Sequence, residues 1–208
     1  MISGDTTRDP KLSVRELSRG ELLRASFDLR TGECVCLRGD SGSGKSILLR
    51  ALADLDPTTG TVTLDGKDRA EFSGPEWRRR VVYVPADSGW WSETVGEHFR
   101  DLAALSPIVA SFGLPPDVAS WKVERLSTGE RQRLALIRAL ELVPDVYLLD
   151  EPTSGLDEAA TRAVETEIVA RCNDGAAVLW VTHDAAQERR VATRSLRVEQ
   201  GRVTEVAR

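Results

Sequence analysis

Nowhere does the chain run to 18 consecutive apolar residues, about the least a helix needs to cross a bilayer, so no stretch reads as a membrane anchor. The first ten residues, with Asp5, Arg8, Asp9 and Pro10, lack the apolar core of a secretory leader; residues 1–11 read as a loose cytoplasmic tail. A basic excess is missing too. With 28 lysines and arginines against 33 aspartates and glutamates, the formal charge is −5, which argues against nucleic acid as the main partner. Cysteine is scarce: Cys34, Cys36 and Cys172 include a C-x-C with no further cysteine or nearby histidine, a poor zinc site, and read as buried thiols in a reducing compartment. What remains is a composition of 41% apolar and 29% charged residues over 208 positions. That is a globular balance, in a chain long enough to bury about 70% of its unfolded surface. One domain over residues 12–208 accommodates it.

The chain is organised around Gly39-Asp40-Ser41-Gly42-Ser43-Gly44-Lys45-Ser46, which lies between an apolar strand at Cys34–Leu37 and a helix at Ile47–Leu52. Without a Cβ, the glycines let the backbone take positive φ and turn several N–H groups toward one anion. The helix that follows adds the positive end of its dipole. Lys45 supplies a point charge for β- and γ-phosphates, and the Ser46 hydroxyl stands where a phosphate-bound Mg²⁺ needs an oxygen. This is a polyphosphate cradle.

Around it, Leu12–Leu17 alternates apolar and polar residues and predicts a half-exposed strand; a second covers Leu22–Leu29, and Thr61–Leu64 before Asp65-Gly66 predicts a short hairpin-like strand. Three apolar runs, Arg80–Pro85, Val146–Leu149 and Ala176–Val181, are those of strands covered on both faces. Helical spacing from about Glu158 to Cys172, and Leu196–Glu199 with Val203–Val206 as a closing hairpin, complete an α/β chain. The fold class is a mostly parallel core sheet with an antiparallel N-terminal part and a small helical insert, about residues 87–140.

Two further stretches carry chemistry. Val146–Leu149 delivers Asp150 and Glu151 to a strand's C-terminal end, where one acid can hold the Mg²⁺ shell and the other can orient a water. Ser127 and Glu130 form an S-x-x-E capping box that opens a helix through Leu142. Such a helix start, with Ser127 and the Gly129 amide exposed, is a second phosphate site. Two phosphate sites and one ATP suggest two subunits.

In order and spacing these motifs resemble the ATP-binding subunit of an ABC transporter over roughly residues 12–206. Gly39–Ser46 resembles Walker A; Leu126-Ser127-Thr128-Gly129-Glu130-Arg131-Gln132 resembles the signature motif LSGGQ; Tyr147–Pro152 resembles Walker B, followed by a D-loop at Ser154–Asp157 and a switch histidine, His183. The resemblance implies a P-loop NTPase fold of the ABC type and ATP hydrolysis with Mg²⁺. It also implies a head-to-tail homodimer with two sandwiched ATP molecules and a separate integral membrane permease, which holds this subunit at the cytoplasmic face. Glu151 would be the catalytic carboxylate, His183 would contact the γ-phosphate, Ser46 and Asp150 would serve the metal, and Ser127, Thr128, Gly129, Glu130 and Asp157 would meet the partner's nucleotide. Asp157 also reads as an ordinary helix N-cap, and His183 as a strand-end histidine before a capping Asp184.

Departures from the pattern are equally specific. Ala86 stands where the family usually has a metal-sensing glutamine, so that role is lost or passes to Asp87 or a water; Thr128 replaces a glycine and Glu130 a glutamine. Leu17-Ser18-Arg19-Gly20 has no aromatic to stack on adenine, and Arg19 is the candidate to stack in its place. Trp90-Trp91 reads either as packing or as a docking anchor, and Arg78-Arg79-Arg80 as a solvated face. The short cassette and the run Val178–Asp184 look similar to compact subunits linked to iron or metal export. A soluble non-transport ABC ATPase and a hydrolysis-poor regulatory subunit are the alternatives.

Overall fold

The computed structural model describes residues 9–206; residues 1–8, most of the expected tail, lie outside the described residues. Strand β1 (Pro10–Ser18) begins two residues before the alternation predicts. Leu12, Val14 and Leu17 are buried, although Val14 and Leu17 are out of phase for a regular strand. A bulge corrects this: Glu16 takes φ 50°, the pairing with β2 shifts between Val14 and Leu17, and the extra residue returns Leu17 to the core. Strand β2 (Arg24–Arg30) pairs antiparallel with β1 on one side. Strand β4 (Thr59–Leu64) pairs with it on the other and turns into β5 (Lys67–Asp68).

The parallel half consists of β3 (Cys34–Arg38), β6 (Val81–Val84), β7 (Val146–Asp150), β8 (Ala177–Val181) and β9 (Arg194–Glu199). Strand β10 (Arg202–Val206) returns antiparallel on β9 and meets β2 at Arg24, so both halves join in one ten-stranded sheet of order β5-β4-β1-β2-β10-β9-β3-β8-β7-β6. Strand β6 is therefore an edge, yet it is covered on both faces.

Apolar residues alternate between two cores across this sheet. Helix α1 (Lys45–Leu52) covers one face, packing Leu48, Leu49 and Leu52 with Val35, Leu37, Leu148 and Leu179. Cys34 and Cys36 share the opposite face with Tyr147, Leu149, Trp180 and Cys172, as their spacing predicts. There α4 (Thr128–Glu141) and α5 (Glu158–Asn173) contribute Leu134, Ile137, Val164 and Ile168. Two-sided burial is why β7 and β8 read as unbroken apolar runs.

Helix α2 (Gly74–Arg80) was not expected. A Ser73/Glu76 capping box starts it, and fully buried Trp77 fixes it by donating its indole N–H to the Leu52 carbonyl at 2.8 Å. Its basic end is only partly a solvated face: Arg80 binds Asp145 at 2.7 Å and Asp65 at 3.2 Å. The insert is less helical than its spacing predicts. Between Pro85 and Ser127 it holds α3 (Ser106–Ser111) and four single-turn 3-10 segments, because Pro107 and Pro115-Pro116 stop longer runs. Its Val95, Phe112, Val118 and Val123 extend the core beneath α4. Helix α6 (Ala185–Val191) follows β8. No described helix is long and apolar enough to cross a membrane.

Candidate functional site

The cradle leaves β3 on three left-handed glycines, Gly39, Gly42 and Gly44, with φ of 146°, 77° and 110°. At Gly39 a Cβ would stand 2.5 Å from the Val198 carbonyl oxygen and 2.6 Å from Ser43 Oγ, so only glycine fits. The closing hairpin thus backs the loop, and the Gly201 N–H also donates to the Ser43 carbonyl at 3.3 Å. Lys45 is buried, and its ammonium donates to the carbonyls of Gly39 (2.8 Å) and Asp40 (2.9 Å), which puts a positive charge inside the ring of the loop. Ser43 Oγ is buried there without a hydrogen-bond partner. An orphaned hydroxyl, a lysine and a helix start in a loop that a side chain would block fit a polyphosphate. Asp40, Ser41 and Ser46 are exposed on its rim.

Strand β7 delivers Asp150, only 5% exposed. The Tyr83 hydroxyl on β6 donates to its Oδ2 at 3.1 Å, while Oδ1 accepts no protein hydrogen bond among the described residues. Burial and then the Asp150 charge push the Tyr83 hydroxyl above the ordinary phenol range, so it stays a donor. A nearly buried carboxylate with one oxygen unpaired suits a hard cation. With the exposed Ser46 hydroxyl, this donor set fits Mg²⁺.

Glu151 takes φ 50°, a backbone state that side-chain-bearing residues rarely adopt and that the surroundings must enforce. Here its N–H donates to the Val181 carbonyl at 3.2 Å, and its carbonyl accepts from Gln132 Nε2 at 2.6 Å and from the Ser154 N–H at 3.1 Å. Its carboxylate meets His183, with Oε1 at 3.1 Å from Nε2. His183 follows β8, and Asp184 caps α6 by accepting from the Ala186 N–H at 2.7 Å, which is the strand-end arrangement with a helix cap that the sequence predicts. A polar cleft of about 300 Å³ links Gly39 and Asp40 to Thr182 and His183.

At the start of α4 the expected box is formed in full. Glu130 Oε2 accepts from the Ser127 N–H and Oγ, each at 2.8 Å, and the Glu130 N–H returns to Ser127 Oγ at 3.3 Å. The Ser127 hydrogen bonds hold the Glu130 carboxyl below its usual range and keep its charge on the helix start. Thr128 is exposed. Gly129 packs against Leu156 and Gly155 of the next loop, and Asp157 caps α5 through the Ala160 N–H at 2.8 Å.

Residues 22–154 match the family described as ABC transporter. The chain belongs to the ABC transporter family. It is 37% identical over 172 residues to the probable iron export ATP-binding protein FetA of Escherichia coli (strain K12), covering 76% of each chain. It is 39% identical over 214 residues to the aliphatic sulfonates import ATP-binding protein SsuB 3 of Nocardia farcinica, covering 99% of this chain and 83% of that one. Among solved structures, one described as the ATP binding subunit of an ABC transporter superposes with a TM-score of 0.83 at 29% identity, over 94% of this chain and 90% of the other. The chain is thus an ATP-binding, ATP-hydrolysing ABC subunit of the kind that works with membrane components.

As an ABC subunit it departs from pattern where the sequence indicates. Ala86 and Asp87 are both exposed past the end of β6, and the residue of that strand that reaches the metal-side acid is Tyr83. The Arg19 guanidinium is 3.1 Å from Asp56, which also takes two 2.9 Å bonds from Arg50 in the last turn of α1. The residue whose backbone lies against the cradle at Gly44 is Leu22, 59% exposed. Trp90 packs into the core, as the packing reading expects, whereas Trp91 is 69% exposed; Arg138 lies over both rings, at 4.9 and 4.7 Å. Motif reading missed Tyr83, Gln132 and Leu22. Tyr83 was signalled by being the one polar-tipped residue of its strand and Gln132 by closing the signature-like motif; Leu22 had no local signal.

Proposed function

We propose that this ABC subunit is the motor of a two-part membrane transporter, acting as a homodimer in which each copy closes the other's cradle. The observation that carries this is the pairing of Glu151 and His183 at 3.1 Å, just past the ends of the neighbouring strands β7 and β8. In this reading Gly39–Ser46 binds the triphosphate of ATP through loop amides, with Lys45 on the β- and γ-phosphates. Ser46 and Asp150 hold Mg²⁺, which when bound neutralises phosphate charge. Glu151 orients the attacking water and accepts its proton, and His183 holds the carboxylate and reaches the γ-phosphate. At the Ser127–Gly129 helix start, Thr128 and Gly129 offer a hydroxyl and amides to the partner's γ-phosphate, while the capping box occupies the Ser127 hydroxyl and keeps Glu130 turned onto its own helix. Asp157 stands at the dimer seam. ATP closes the pair, and hydrolysis releases it.

The partner is an integral membrane permease, and the subunit works at the cytoplasmic face, as the names of its transporter relatives suggest. Those relatives are named for iron export and for sulfonate import, as expected if the permease chooses the cargo; iron or another metal is the cargo suggested by the first. The test compares the wild type with Glu151→Gln. A working motor loses turnover in the variant and forms a dimer with Mg-ATP on size-exclusion chromatography. Equal, near-zero rates in both would mean a silent regulatory subunit. Ribosomes or DNA, rather than a membrane protein, recovered with the trapped variant would mean a soluble ATPase.

A further inference from the structure

One buried polar chain has no part in the chemistry above. Gln187, in the first turn of α6, is 1% exposed. Its Nε2 donates to Thr153 Oγ1 at 2.9 Å and to Glu165 Oε1 at 3.1 Å, and the Thr153 hydroxyl lies 3.3 Å from its Oε1. Glu165, buried on α5, is in turn gripped by Arg190 of α6, with Nε at 2.8 Å from Oε2 and a terminal nitrogen at 2.5 Å from Oε1. A buried amide placed between a hydroxyl and an ion pair is fully engaged and has one orientation.

Thr153 is two residues beyond Glu151, and Gln187 four beyond His183. The segments therefore close a circuit. From Glu151 it runs through Pro152 to Thr153, across to Gln187, back through the start of α6 and its N-cap Asp184 to His183, and across the 3.1 Å contact to Glu151. His183 is 53% exposed, and among the described residues its ring makes one polar contact, with Glu151. What fixes the ring is the placement of the start of α6. We propose that Gln187, through Thr153 with Glu165 as its anchor, is a positioning residue that keeps His183 in register with Glu151. The proposal rests on the reading that these two residues carry the hydrolysis.

Gln187→Met and Thr153→Val remove the link at nearly constant volume; Thr153→Ser keeps the hydroxyl. A 1 Å misplacement of a reacting group costs up to about 100-fold, so each breaking variant is expected to lower kcat about 10- to 100-fold while KM for ATP stays within about 2-fold. The double variant should match Gln187→Met, which already removes the Thr153 link together with the bond to Glu165, and Thr153→Ser should return to near wild-type turnover. A second readout needs no turnover. The chain has two histidines, so the His183 ring resonance can be followed in the nucleotide-free protein with His98 as internal control. It should shift in Gln187→Met and Thr153→Val, with His98 unmoved. Unchanged kcat, losses that multiply in the double variant, or an unmoved His183 resonance would overturn the proposal, and Thr153→Val keeps the test open should Gln187→Met fail to fold. A shifted His183 resonance with wild-type turnover in His183→Ala would support the coupling and overturn the catalytic reading instead.

Discussion

The two ends of the nucleotide site are built to different standards. At the phosphate end the charged groups are each held by a second one: Lys45 by two loop carbonyls, Asp150 by Tyr83, and Glu151 by Gln132, Ser154 and His183. Beside the cradle at the other end lie exposed Leu22 and a turn whose arginine is tied to Asp56. Preorganised donors and charges near the phosphates act at full strength on charge that develops there, whereas an exposed leucine offers a base only apolar contact. The chain should therefore read the triphosphate closely and the base loosely.

The largest effect expected from this contrast is at Glu151. Removing a general base costs about 10²- to 10⁴-fold in rate, so Glu151→Gln should lower kcat by that much while nucleotide binding survives; a loss of binding of similar size would break the division of labour. Next is Lys45. Two charge-assisted hydrogen bonds at about 1.5 kcal/mol each predict that Lys45→Ala weakens ATP binding roughly 100-fold, measured by titration calorimetry in the Glu151→Gln background. A loss below about 3-fold would mean that the loop amides alone carry the phosphates.

Where the sequence was legible follows the same division. The cradle, the acid pair and the Ser127/Glu130 box are local patterns whose meaning depends on a few neighbouring residues, and each folds as its spacing predicts. The Ser73/Glu76 box that starts α2 is equally local, and its S-x-x-E spacing was there to be read. Illegible were the supports that come from far along the chain: Tyr83 on Asp150, Gln132 on Glu151, and Gln187 between Thr153 and Glu165. They depend on strand order, and no spacing rule says that β6 is the edge next to β7. The Arg19–Asp56 pair was illegible for the same reason, since Asp56 lies beyond a whole helix in sequence.

The base end yields smaller numbers. Base-on-aromatic stacking is worth about 1–3 kcal/mol, and no aromatic side chain stands at Arg19 or Leu22, so the affinities for ATP and GTP should agree within about 10-fold. Leu22→Trp is the sharpening experiment. If Leu22 faces the base, an indole there should tighten both nucleotides by a factor of about 5 or more; no change would move the base site elsewhere.

The smallest effect expected separates the two assignments of Arg19. As a stacking residue it would supply about 1–3 kcal/mol of binding, so Arg19→Ala would weaken ATP by about 5- to 150-fold. As the partner of Asp56 it contributes only to a partly exposed ion pair, about 0–1 kcal/mol of stability, and Asp56 keeps Arg50. The Arg50 hydrogen bond is the largest influence holding the Asp56 carboxyl below its ordinary range, so the anion stays paired when Arg19 is gone. Arg19→Ala should therefore leave the ATP dissociation constant within about 2-fold and lower the melting temperature only slightly. Arg50→Ala, which takes the two 2.9 Å bonds, should lower it more. A weakening of ATP beyond 5-fold in Arg19→Ala, with the melting temperature unmoved, would return the arginine to the base and make the two ends of the site more alike than their contacts suggest.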